Sequence, residues 1–245
     1  MKILTLDIET SPMTGLIWGL WDQNISYKHI QQEGSVLCYA AKWLGDNKVY
    51  FDSVNKSSPK EMLKGIHNLL NKADALISFN GINFDVKHLN AQFLLHKMKP
   101  PSPFKNIDLL RTAKSRFKFP SNKLDYIAQR LGLGQKTEHE GMGLWIKCMA
   151  GNKTAWRVME KYNRQDVILT EQVYYKLLPW IKGHPNANLY HNGRRCPSCG
   201  SPTLIKRGLV TSTVGTYIRY SCNACGTWSQ GKKMIAPPVE IRGVA

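Results

Sequence analysis

Residues 2–10 read Lys-Ile-Leu-Thr-Leu-Asp-Ile-Glu-Thr, an apolar run broken by two acids two positions apart. Such a run suits a strand buried in the middle of a sheet better than one at the surface. Side chains two apart on a strand share a face, so Asp7 and Glu9 present their carboxylates to one region of space. Like charges held that close repel, and their burial is costly unless cations neutralise them. Oxygen ligands of this kind suit a hard ion such as magnesium or manganese rather than zinc. Alone the triplet is a weak signal, since a solvated strand end can carry the same residues.

A second segment adds to it. Ala75-Leu76-Ile77-Ser78-Phe79 reads as a short buried strand, followed by Asn80-Gly81-Ile82-Asn83-Phe84-Asp85 and a helical pattern through about Met98. Strand, glycine turn and helix start are where an α/β sheet places its ligand groups. Asp85 then falls in a helix's first turn, where the dipole favours a carboxylate whether or not it binds metal. Asn80 and Asn83 also suit turn and cap positions, and Phe84 fits a core residue as well as a substrate platform.

The third segment lies on a long helix expected from about Thr154 to Leu178. Trp156, Met159, Val167, Leu169, Val173, Leu177 and Leu178 recur there at near-helical spacing. In Tyr162-Asn163-Arg164-Gln165-Asp166 the first and last residues are four apart, so a phenol and a carboxylate share one face. By itself this also describes an amphipathic helix with a core tyrosine and a surface aspartate.

Together the three segments resemble, in order and spacing, the Exo I, Exo II and Exo III motifs of the DnaQ-like, or DEDD, 3′-to-5′ exonucleases of the ribonuclease H-like superfamily. The second motif, Asn80-Gly81-Ile82-Asn83-Phe84-Asp85, is similar to that of the proofreading exonuclease of family B DNA polymerases. The resemblance covers roughly Met1 to Ile181 and includes Lys123-Leu124-Asp125-Tyr126-Ile127-Ala128, followed by Leu131-Gly132. Tyr162, four residues before Asp166, is the mark of the tyrosine branch. The resemblance implies an α/β fold with a mixed sheet flanked by helices. It also implies that Asp7, Glu9, Asp85 and Asp166 hold two divalent ions, with Asp7 shared, and that the products are nucleoside 5′-monophosphates. Tyr162, whose ordinary pKa is near 10, is better suited to orienting the attacking water than to acting as a base. Thr10, Asn80 and Phe84, beside the motif acids, are the candidate substrate contacts.

The 245 residues suffice for one good core and a small appendage. The absence of a long apolar run or a leader pattern favours an intracellular protein, cytoplasmic or nucleoid-associated, with no membrane role. A formal charge of +17 and a pI of about 9.7 point to a polyanionic partner, although a merely solubilising surface can be equally basic. Within the first module, Ser58-Pro59-Lys60-Glu61 predicts a capped helix start. Val36–Trp43 and Lys48–Phe51 predict a hairpin. Composition shifts near Gly183-His184-Pro185, which sets expected domains of 1–181 and 182–245, the second with nine Lys or Arg against Glu240 alone.

That basic segment contains Cys196-Pro197-Ser198-Cys199 and Cys222-Asn223-Ala224-Cys225, each followed by a glycine that permits the tight turn aiming amides at sulfur. Two such pairs read as a four-thiolate structural zinc site, with disulfides the alternative. Thr203–Val210 and Thr216–Ser221 predict strands joined by a turn, so the module resembles a zinc ribbon whose folding draws on the metal. Cys38 and Cys148 read as buried thiols, and His139 as a loop residue. Tyr217, Arg219, Tyr220 and Trp228, beside Lys206, Arg207, Lys232 and Lys233, can stack bases and meet phosphates; the alternative is that the aromatics cover the ribbon's small core.

The expected protein is thus a stand-alone exonuclease acting on single-stranded or frayed DNA ends. Its ribbon either grips nucleic acid or docks a replication or repair protein. An exoribonuclease shares the same chemistry, and a non-catalytic nucleic-acid-binding module shares the same fold.

Overall fold

The computed structural model describes residues 1–135 and 140–237, so His139 lies outside the described residues. Its main sheet is built from β1 (Ile3–Thr10), β4 (Val36–Trp43), β5 (Val49–Ser53), β6 (Ala75–Ser78) and β7 (Lys105–Asp108). The order is β5-β4-β1-β6-β7, antiparallel from β5 to β1 and parallel from β1 to β7. The acid-bearing strand is therefore the central one, as its apolar composition predicts. Between β1 and β4 the chain makes a small two-stranded excursion, β2 (Thr14–Gly15) and β3 (Ile30–Gln32).

The alternation along β1 sorts its side chains between two cores. Leu4, Leu6 and Ile8 pack with Met62, Leu63 and Ile66 of α1 (Pro59–Leu70) and with Leu89 and Phe93 of α2 (Asp85–Leu95). Ile3 goes the other way, joining Ala75, Ile77 and Ile107 against α3 (Leu109–Arg116), α4 (Leu124–Arg130) and α6 (Lys153–Leu177). Asp7 and Glu9 are in phase with Ile3, so they face α6. A third cluster places Leu37 and Cys38 against α5 (Met142–Met149) and the first turns of α6.

Local chemistry fixes these elements. Ser58 and Glu61 form the expected capping box at α1. Asn152 caps α6 through the Thr154 and Ala155 amides. Glu171 of α6 is buried, pairs with Lys42 of β4 and accepts from the Gly45 N–H at 3.0 Å. This clasp holds α6 across β4 and so aims its middle turns at β1. Cys38 and Cys148 are both buried thiols.

The C-terminal segment forms a three-stranded antiparallel sheet of β8 (Leu204–Ser212), β9 (Gly215–Cys222) and β10 (Trp228–Ala236), in the order β10-β9-β8. Two strands are expected from the sequence, and β10 is additional. Its polar residues Gln230, Lys232 and Lys233 interrupt the apolar pattern, because a strand with one solvated face need not look hydrophobic. The C-terminal segment meets the main core through Cys225 and His184. Cys225 packs against the cluster containing Leu178, and the Tyr174 hydroxyl lies 2.8 Å from His184 Nε2. Among the described residues, no helix is long and apolar enough to cross a membrane.

Candidate active site

The carboxylates of Asp7, Glu9 and Asp166 converge, with one oxygen from each lying within 4.8 Å of the others. Two come from the C-terminal end of β1 and the third from the middle of α6, so the cluster forms where strand and helix meet. Such a set of hard oxygen donors suits a divalent cation, which would offset the mutual repulsion of the three acids. Asn163, fully buried on the same helix face, donates its side-chain amide to Asp7 Oδ2 at 2.6 Å and to the Asp7 backbone carbonyl at 3.3 Å. Its own oxygen lies 3.8 Å from the Cys38 sulfur. Sequence reading passes over Asn163, although its position three residues before Asp166 puts it on the site face.

Asp85 stands beside this cluster and is not one of the three converging acids. It is buried, and its Oδ1 accepts the Ile8 N–H at 3.0 Å. The reason lies in the sheet: β1 pairs with β6 only from Ile3 to Thr5, so beyond that point the edge of β1 is open. Asp85, the first residue of α2, takes up the amide that β6 has left. Burial pushes its carboxyl up to about 7; the Ile8 amide acts downward and the nearby charge of Asp108 upward. A bound divalent cation would reverse that balance.

Asp108 is a second residue that sequence reading leaves aside. Its carboxylate accepts from the Asn80 and Ile82 amides at 3.1 and 3.3 Å, and from Leu110 and Arg111 at the start of α3. It thereby holds the loop that delivers Asp85. In that loop Asn80 has a positive φ of 73°, which asparagine tolerates. A Cβ at Gly81 would lie 2.2 Å from Ser78 Oγ and 3.3 Å from Asp85 Oδ2, so only glycine fits there.

Tyr162 is buried at 8% exposure, with its ring edge-on to Trp145 at 6.2 Å between centroids. It sits one turn from Asp166 on the face that carries Asn163. Phe84 is half exposed and packs edge-on against His88 at 4.6 Å, so it is not a core residue. Thr10 ends β1 at a register shift opposite Val36, immediately after Glu9.

A family model of the RNase H superfamily matches residues 4–178, a span that includes the whole carboxylate cluster. The chain belongs to the RNase H superfamily. Among solved structures it is similar to the family B DNA polymerase from the hyperthermophilic archaeon Pyrobaculum calidifontis. The TM-score is 0.56 at 15% identity, covering 73% of this chain and 24% of that one. The chain thus spans about a quarter of the polymerase, and at this identity the likeness speaks for the fold alone. No match was found among the curated proteins. Membership supports a nucleic-acid nuclease that uses divalent metal ions, and Asp7, Glu9 and Asp166 are the residues grouped to receive one.

This RNase H superfamily chain carries a second candidate metal site in its C-terminal sheet. The sulfurs of Cys196, Cys199, Cys222 and Cys225 all lie within 4.8 Å of one another, with Cys196–Cys225 and Cys199–Cys222 at 3.7 Å. Four ligands at about 2.3 Å from a tetrahedral zinc are about 3.8 Å apart, whereas bonded disulfide sulfurs are about 2.05 Å apart. The spacing fits a metal and not disulfides. Burial acts to raise the Cys222 thiol, but the Cys225 and Ala224 amides, together with the neighbouring Cys199 and Cys225 sulfurs, outweigh it and bring the thiol down to about 7. The turns thus aim amides at sulfur, as the following glycines lead one to expect.

The ribbon's aromatics divide between the two expected roles. Tyr217 and Tyr220 are buried and belong to its small core, so they are not base platforms. Trp228 is 56% exposed, and the Arg219 guanidinium lies over its ring at 4.9 Å.

Proposed function

We propose that the chain is a metal-dependent 3′-to-5′ exonuclease of the DnaQ-like tyrosine branch, acting on single-stranded or frayed DNA ends and releasing nucleoside 5′-monophosphates. The observation that carries this reading is the convergence of Asp7, Glu9 and Asp166 from β1 and α6, with Tyr162 one turn away on the same helix face. In this reading Asp7, Glu9, Asp85 and Asp166 would hold two divalent ions, magnesium or manganese. When bound, such ions lower the pKa of water and stabilise the leaving oxygen of an in-line displacement.

The remaining roles belong to the chain itself. Asn163 fixes the Asp7 carboxylate, Asp108 fixes the loop of Asp85, and the Tyr162 hydroxyl orients the attacking water. Thr10, Asn80 and Phe84 border the carboxylates and are assigned to the terminal nucleotide. Residues 182–245 are assigned to a basic module with one structural zinc that grips the strand through Arg219, Trp228 and neighbouring lysines.

The test is digestion of single-stranded DNA, single-stranded RNA and duplex DNA with magnesium, manganese or chelator. Mononucleotide release from the DNA strand, lost with chelator, is the expected result. Preferential digestion of RNA would reassign the substrate, and chelator-resistant or absent cleavage would overturn the reading.

A further inference from the structure

The excursion between β1 and β4, residues 12–34, carries an apolar surface that the core does not use. Trp18 is 96% exposed and Trp21 84%, with Leu16, Leu20 and Tyr27 also exposed around them. Large apolar residues concentrated in this way mark a binding surface. The base of the excursion is firmly set: Ser11 N–H donates to the Ser35 carbonyl at 2.8 Å, and Ser35 N–H donates to Ser11 Oγ at 2.9 Å. That clasp lies two residues beyond Glu9. The flap is therefore rooted at the rim of the carboxylate cluster.

Above the root, Leu16 N–H donates to the His29 carbonyl at 3.0 Å, closing the β2–β3 pair. A cavity of about 330 Å³ opens there, lined by Leu16, Ile17, Trp18, Lys28, His29 and Ile30 among others, with Lys28 and, among the described residues, no acidic one in its wall. An indole beside a lysine and an imidazole is the composition of grooves that hold unpaired strands, where bases stack on rings and cations meet phosphates. The flap itself carries Asp22 and Glu33 against Lys28, so what it offers is the apolar stacking surface, while the net charge of +17 over the whole chain supplies the attraction for a polyanion. Chain geometry bounds the separation, because Leu16 is six residues past Thr10, a reach of at most about 22 Å from the end of β1.

We propose that the flap of residues 12–34 is a base-stacking platform for the unpaired strand entering the carboxylate site, with Trp18 and Trp21 as the stacking rings and Lys28 as a phosphate contact. The proposal rests on the nuclease reading and adds its substrate selector: a strand must be single to be held. A duplex keeps its base faces inside the stack and offers these rings nothing to bind.

The experiment is fluorescence anisotropy with calcium in place of magnesium or manganese, so that no strand is cut and the ribbon keeps its zinc. It uses the full-length wild type, the Trp18→Ala/Trp21→Ala double variant and a Trp18→Phe/Trp21→Phe counterpart. The probes are a labelled single-stranded DNA and a strand of equal length and charge made of abasic nucleotides. The alanine variant should bind the base-bearing strand about ten- to a hundredfold more weakly than wild type. It should bind the abasic strand equally well, and phenylalanine should restore most of the loss. Both rings are exposed, so truncation removes no core packing, and the phenylalanine variant reports any general damage. Equal affinity of wild type and alanine variant for the base-bearing strand would overturn the proposal and leave a protein- or lipid-facing surface, while cleavage by both would leave the nuclease reading standing. Failure of the wild type to bind or cleave any strand would overturn both.

Discussion

Asn163 of α6 holds Asp7 of β1 through a 2.6 Å hydrogen bond between residues 156 positions apart. The bond is partly buried and made to a carboxylate, a class of hydrogen bond worth about 1.5–3 kcal/mol when the acceptor is ionised. Asn163→Ala should therefore lower thermal stability and reduce turnover at least about tenfold, with a smaller change in KM, because Asp7 loses its fixed orientation. Steady-state kinetics and a melting curve measure both. Unchanged turnover would show that Asp7 needs no such support.

Asp7→Ala should abolish cleavage while the protein stays folded. It removes one of the three converging carboxylates and relieves the repulsion with Glu9 and Asp166 at the same time. Activity within about threefold of wild type, where an active-site metal ligand should be worth far more, would refute the metal assignment.

Asp85→Asn separates function from stability. The amide keeps an acceptor for the Ile8 N–H but removes a buried carboxylate whose pKa burial has raised to about 7. A carboxyl with a raised folded pKa is neutral and harmless at low pH, and costs stability as pH climbs from its unfolded value through its folded one. At pH 8 with chelator, the variant should melt roughly 2–8 °C higher than wild type and show no nuclease activity with magnesium. A lower melting temperature would contradict the account of Asp85.

Tyr162→Phe keeps the ring against Trp145 and deletes the hydroxyl. Turnover should fall roughly ten- to a thousandfold with little change in substrate affinity. An unchanged rate would return Tyr162 to a packing role.

Neutralising Lys206, Arg207, Lys232 and Lys233 with glutamine tests the ribbon as a phosphate grip. Four lost phosphate contacts should make the logarithmic salt dependence of single-strand binding shallower by about three. Metal analysis of the same protein should give one zinc per chain. An identical slope would favour protein docking as the ribbon's role.

Much of the fold and site was legible because the signals are local and periodic. The apolar run of β1, the capping box at Ser58 and the spacing of Tyr162 and Asp166 each follow from residues a few positions apart. The paired cysteines likewise predict a metal site from spacing alone. What sequence reading missed depends on long-range geometry. Asn163 and Asp108 act by holding other groups, and nothing in their neighbours says that Asp7 or the Asn80 loop will arrive beside them. The buried Tyr217 and Tyr220 and the exposed Trp228 look alike in sequence, since which face of a short strand is covered depends on its partners. The flap tryptophans stand out only in the structure, which leaves them exposed and outside all three buried clusters.

The central claim is one of polarity at a metal-dependent site, and it is tested most directly by incubating 5′-labelled single-stranded DNA with the protein and magnesium and following the label with time. The account predicts a ladder of labelled products shortening stepwise from the 3′ end, absent with chelator and with Asp7→Ala. Early release of the 5′ label as a mononucleotide, or a ladder that survives Asp7→Ala, would contradict it.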